Sequence, residues 1–149
     1  MHRRPPPTSV RSILALASIM LASCAHQRDP QAGMPHLLRF MPPADDAEVV
    51  YLTAAAEGRL VYEDQCFKLK VHGQPPRTII WHSHFRGVDH NGTPGVVDGL
   101  TGTSARAGDR IRLGGGGVDA IGDNIEDRAH AERCGGPYIS ANTLIVPTR

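Results

Sequence analysis

"CFKLKV", residues 66–71, alternates strictly: Phe67, Leu69 and Val71 fall on one side, Lys68 and Lys70 on the other. A side-chain period of two marks a strand with one face buried, because successive Cβ atoms leave a pleated chain on opposite faces. The same phase puts Cys66 on the lysine side, so any bridge it makes must run over the outer face or an edge of the sheet. Upstream, "GRLVYE" at 58–63 is β-branched and aromatic enough for a strand, and Glu63, Asp64 and Gln65 turn the chain between the two. Downstream, the turn signal Gly73-Gln-Pro-Pro76 leads into "TIIWHSHF" at 78–85, read as one continuous strand.

The same texture extends outward. Residues 48–53, 95–98, 109–113 and 138–146 read as further strands, with Ile111 and Leu113 facing inward in the third of these. Residues 86–94, rich in Gly, Asp and Asn, read as a loop. Asp123 with Glu126 three residues on fits an N-cap and capping box, predicting a short helix near 123–132 that Gly135-Gly-Pro137 ends. Seven short strands and one helix predict a mainly β domain over 48–149, a small antiparallel barrel or sandwich of OB-like type. No segment repeats at a period of 20 to 50 residues, which argues against a solenoid.

The amino-terminal region differs. Three arginines and no acid precede residues 13–22, which are apolar apart from Ser18. A basic start, a short apolar core and small residues at the exit are the parts of a secretory signal, and the run falls short of the roughly 20 residues a membrane span requires. Its exit, Leu21-Ala22-Ser23-Cys24, resembles the lipobox of bacterial lipoproteins. That resemblance implies a signal peptide at 1–23, cleavage before Cys24, and acyl chains on Cys24 that hold the protein to a membrane at about 0.8 kcal/mol per buried methylene. Ala25 stands where an aspartate tends to retain such proteins in the inner membrane, so in a Gram-negative host the resemblance favours the outer membrane. Residues 24–47 carry four prolines and read as an anchored tether, within which residues 36–41 are apolar enough to pack on the domain or the bilayer. The strings "CFKL", "IIW", "GDRIRLGGG" and "CGGPY" loosely resemble those of small exported bacterial proteins of unknown function, which implies no activity.

Removing residues 1–23 takes Arg3, Arg4 and Arg11 and no acid from the 16 basic and 15 acidic residues, leaving a net charge of −2. That balance argues against nucleic acid, which demands a concentrated basic footprint. With Cys24 acylated, Cys66 and Cys134 remain in an exported chain, where two leftover cysteines usually pair. Two free thiols or a shared metal are the alternatives.

Few residues invite chemistry. His82 and His84, two apart on the expected strand, would share one face, and His90 lies six residues on; such a set suits zinc or copper if the fold gathers it. Two solvated histidines are the commoner outcome of such a pattern. Gly114 to Gly117 lack the Lys-Ser/Thr of a phosphate loop and predict a sharp turn or bulge. Asp89-His-Asn-Gly92 predicts an Asx-type turn, lacking the further acids of a calcium loop. Glu126 and His130, four apart, read as a surface contact of the expected helix. No serine sits in a Gly-x-Ser-x-Gly elbow, and no catalytic motif is visible. The sequence therefore points to a non-enzymatic envelope lipoprotein without cofactor, binding the membrane through its anchor and an envelope protein or cell-wall component through its domain. The alternative is a periplasmic metal-binding domain using His82, His84 and His90.

The unreduced protein extracted from bacterial membranes should have the mass of residues 24–149 plus acyl chains, and gain two hydrogens on reduction. A lipid-free mass would end the anchored reading and return Cys24 to the thiol inventory.

Overall fold

A computed structural model describes residues 33–44 and 51–148. The signal, Cys24, the tether as far as residue 32 and residues 45–50 lie outside the described residues, and with them half of the strand expected at 48–53; its remaining residues, 51–53, are not in a strand.

Eight strands and one helix follow: β1 (Ala54–Glu63), β2 (Cys66–Lys70), β3 (Arg77–Trp81), β4 (Phe85–His90), β5 (Thr93–Asp98), β6 (Ser104–Arg106), β7 (Arg110–Val118), α1 (Arg128–Cys134) and β8 (Tyr138–Ile145). Five of them close a ring in the order β1-β2-β3-β8-β7, while β4-β5-β6 form a separate three-stranded sheet. The fold is mainly β, and its ring is a small five-stranded barrel of the OB-like kind expected. The expectation of a wholly antiparallel sheet is corrected at one seam: β3 and β8 run parallel, with Ile79 opposite Ile139 and Trp81 opposite Ala141. A parallel partner demands a long crossover, and the chain supplies one through the second sheet, β7 and α1.

Alternation sets the barrel interior. Leu60 lies opposite Leu69, and Phe67 and Leu69 turn inward with Ile79, Trp81, Ile111 and Leu113. Lys70, on the other phase, is exposed. A second, smaller core of Leu38, Ile80, Ile125 and Ala131 lies outside the ring. Strand β3 feeds both: Ile79 and Trp81 point into the barrel, and Ile80 points out beneath α1.

That outer core corrects the extent of the tether. Past the start of β2 at Cys66, residues 38–40 take its place beside β3: Trp81 N–H donates to the Leu38 carbonyl at 2.8 Å, and Phe40 N–H donates to the Trp81 carbonyl at 2.9 Å. Phe40 also pairs with Ile125. Leu37 and Leu38 are buried. Residues 35–41 thus form a strap built into the fold, with packing on the domain chosen over packing on a bilayer.

The strap explains why the helix starts late. Met41 N–H donates to the Asn124 carbonyl and Glu126 N–H to the Arg39 carbonyl, so Ile125 is held in a bridge to the strap between two turns and residues 124–126 cannot open a helix. Glu126 pairs with the Arg39 guanidinium at 2.9 Å rather than closing a capping box. The N-cap is Asp127, whose carboxylate accepts from His130 N–H at 2.9 Å, and α1 ends at Cys134 before Gly135, φ 67°.

Two more sequence expectations change. The strand read through 78–85 stops at Trp81, and residues 82–84 turn, with Phe85 N–H donating to the His82 carbonyl. The loop read at 86–94 is instead the β4–β5 hairpin, closed by Asn91 and Gly92, both at positive φ (54° and 85°), the two-residue turn that matches strand twist. Asp89 Oδ1 accepts from Gly92 N–H at 2.8 Å, the expected Asx turn. The glycines at 114–117 lie within β7, where pairing to β8 slips between Gly114 and Gly115. A Cβ at Gly115 would collide with the Ser140 carbonyl, so the bulge requires glycine there.

Cys66 and Cys134 are bridged, with Cα atoms 5.7 Å apart. Cys66 keeps the outward phase read from the sequence, yet both cysteines are buried because α1 covers that part of the outer face.

Leu38→Ala should destabilise the protein by about 2–5 kcal/mol, as loss of a packed core leucine does. Chemical denaturation measures it; a change below about 0.5 kcal/mol, typical of an exposed site, would return residues 35–41 to the tether.

Candidate functional site

The turn at 82–84 places the predicted histidines. His82 and His84 have ring centroids 6.2 Å apart. His84 Nε2 is buried and faces Asp98 Oδ1 at 3.7 Å, beyond hydrogen-bond reach. Asp98 is itself committed to the turn after β5, where its Oδ1 accepts from Leu100 N–H at 2.8 Å. His90 ends β4 beside the hairpin turn, with Nε2 3.0 Å from Ser104 Oγ. Among the described residues, the triads whose ligand atoms converge do not include His82, His84 or His90. Ending the strand at Trp81 removes the shared face that the His-x-His spacing presupposed.

What His82 does instead is line a groove. Phe40 and Tyr51 each bring their rings to 5.2 Å from the His82 imidazole. The groove, about 520 Å³, runs from there past Met41 and Leu52 to Val118 and Ser140. Among the described residues, its lining holds no formally charged side chain. The Ser140 hydroxyl is spent on the bulge, accepting from Gly116 N–H at 3.0 Å and donating to the Gly116 carbonyl at 3.2 Å. Met41, Tyr51 and Leu52 are 47%, 51% and 46% exposed, which sets three large apolar side chains at one mouth. Burial holds the His82 pKa below the ordinary 6.5, and the neighbouring His84 lowers it further. At neutral pH the groove presents an uncharged imidazole between two aromatic rings.

A second cluster lies on the opposite flank of the strap, where α1 meets the start of β2. His130, read from sequence as a surface residue, is buried. Its Nε2 donates to the Gln65 carbonyl at 3.1 Å and its Nδ1 accepts from Arg133 at 2.9 Å, an arrangement that requires the neutral ring. Burial lowers its pKa first, and His36, packed edge-on at 4.4 Å between centroids, adds to the shift. Asp127, whose carboxyl is held below the usual range chiefly by the His130 N–H, lies 3.5 Å from His36 Nε2. The ligand atoms of His36, Asp127 and His130 fall within 4.8 Å of one another, as do those of Cys66, His130 and Cys134. The one sequence signal for this cluster is the four-residue spacing of His130 and Cys134, which shares a helix face.

Comparisons with protein-family models, with curated proteins and with solved structures found no match for this chain.

Because His130 and His82 titrate below 6.5 in the folded protein, the unfolded chain takes up their protons first as pH falls. Stability should be level above about pH 7 and decline below about pH 6.5, since the unfolded state then binds more protons. Denaturant unfolding of wild type and His130→Gln across that range should show a shallower decline in the variant. Equal slopes would contradict the buried, neutral His130.

Proposed function

We propose that the protein is a lipid-anchored envelope module that acts by binding rather than catalysis, with its groove beside His82 as the binding surface. The anchor rests on the lipobox at Cys24. The binding role rests on one observation: Met41, Tyr51 and Leu52, three large apolar side chains, stand exposed around a groove whose lining, among the described residues, carries no charged side chain. Contiguous exposed apolar surface of this kind is typical of interaction sites. The lining selects the partner. With no cation to pair an anionic group and no acid to pair a cationic one, the groove favours an uncharged apolar segment of an envelope protein over phosphates, nucleic acid or a charged polymer. The Phe40 and Tyr51 rings, tilted against His82, offer such a segment rigid aromatic surface with little rotamer entropy to lose. The β-barrel and its disulfide keep the groove in shape.

The uncharged fluorophore N-phenylnaphthylamine serves as a probe. Its emission should rise on adding the protein, and the rise should be lost in Leu52→Asp with Met41→Asp, both exposed changes of small cost to stability. No emission change in the wild type, or an equal one in the double variant, would remove the groove as a binding surface.

A further inference from the structure

The disulfide does not sit alone. Cys66 opens β2; Cys134 closes α1; His130 lies one turn earlier on the same helix face. The two sulfurs and a ring nitrogen of His130 fall within 4.8 Å of one another. Around this trio stand His36 and Asp127, whose ligand atoms lie within the same distance of His130. Five residues of metal-binding type, from the strap, β2, the helix and its N-cap, therefore meet at one corner of the outer core, with Cys66, Cys134 and His130 buried and His36 and Asp127 on its open side.

Two thiolates and an imidazole are a zinc-type donor set, and three such ligands with a carboxylate or water complete a tetrahedral site. While the sulfurs are bonded to each other they are poor ligands, and only the harder set of His36, Asp127 and His130 remains. We infer that reducing the Cys66–Cys134 bridge turns its seat into a zinc-class metal site, ligated by Cys66 Sγ, Cys134 Sγ and a His130 nitrogen, with water completing the tetrahedron. This site is separate from the groove and from any role of His82, His84 and His90.

The surroundings fit that chemistry. His130 Nε2 is held on the carbonyl of Gln65, the residue before Cys66, at 3.1 Å. A backbone carbonyl on one ring nitrogen is the outer contact that orients metal-bound histidines. The other nitrogen is capped by Arg133 at 2.9 Å, so a metal must displace one of these two hydrogen bonds. Arg133 has reason to stay nearby, because its positive charge offsets that of two buried thiolates. Among the charged and titratable groups here, Asp127 favours a cation, while Arg133 and a protonated His36 oppose one.

The steps balance. A dithiol, or a phosphine with water, delivers two electrons and two protons to the S–S bond; two thiols form, and the reductant leaves as disulfide or phosphine oxide. A divalent metal then forms two M–S bonds and releases both thiol protons to solvent. The metal would tie β2 to α1 as the disulfide does, so the barrel keeps its staple when the bridge is reduced.

Cobalt(II) is the probe, since thiolate ligation gives it a charge-transfer band. The full chain is titrated anaerobically, oxidised and after phosphine reduction, with circular dichroism followed in the same samples. The reduced chain should bind about one equivalent with the charge-transfer band, displaceable by zinc, and the oxidised chain should show no such band. His130→Ala should weaken binding by at least about tenfold, and Cys66→Ser should abolish the band. If reduction unfolds the chain, metal should restore the fold in wild type and not in His130→Ala. A reduced chain without the band would overturn the inference, as would equal affinity or equal refolding in His130→Ala. Equally tight, band-free binding to the oxidised chain would assign the ion to His36 and Asp127, and overturn it too.

Discussion

Strand β3 must keep Ile79, Ile80 and Trp81 out of water at once, although neighbouring strand residues face opposite ways. All three are at or below 1% exposure. Such burial on both faces is uncommon for a strand of a small barrel, whose outer face ordinarily meets solvent. Here the outer face is covered by a second core under α1, and each buried side chain contributes about 1.5–3 kcal/mol of transfer free energy. Both edges of the strand are also occupied. Strand β8 takes one edge in parallel, and on the other β2 pairs with the first half of β3 and the strap takes over beyond the start of β2. The ring order, the seating of the helix and the ordering of residues 35–41 all follow from closing this strand in.

The disulfide and the helix serve the same constraint. Helix α1 has only seven residues, too few to hold by itself in water, so its position is set by what it covers. Ala131 packs toward Ile80, His130 reaches the Gln65 carbonyl, and Cys134 ties the helix end to the start of β2. The bridge closes a loop of 68 residues, worth roughly 4 kcal/mol on the chain-entropy view. His130 then has a structural reason to be buried and neutral, and the cluster around it comes from the same need to roof β3. The groove lies across the strap from that corner, where the strap, the turn after β3 and the end of β7 meet.

What the sequence made legible was local. The alternation in 66–71 and the inward phase of Ile111 and Leu113 carried directly into the barrel. Strand β3 was found but run too far, because His82 to Phe85 keeps a strand-like composition while the backbone turns to start a second sheet. The second sheet was missed through Asn91-Gly92, a hairpin signal read only as loop. The helix start was misplaced because Asp123 to Glu126 satisfies a capping box locally, while Phe40 and Arg39, more than eighty residues away, claim Ile125 and Glu126 in the fold. The groove had no signature at all. It is assembled from six short stretches of chain, and no single stretch has unusual composition.

Hydrogen exchange at single-residue resolution tests the central claim, that strap and β3 form one closed unit. The amides of Phe40 and Trp81, bonded to each other's strand across the strap, should exchange only with global unfolding, as slowly as those in the β3–β8 seam. If Phe40 and Trp81 instead exchange at loop-like rates while the β1–β7 and β7–β8 pairs remain protected, the strap is not part of the closed fold. The edge of β3 at Trp81, beyond its pairing with β2, would then be open, and this account of the molecule would fail.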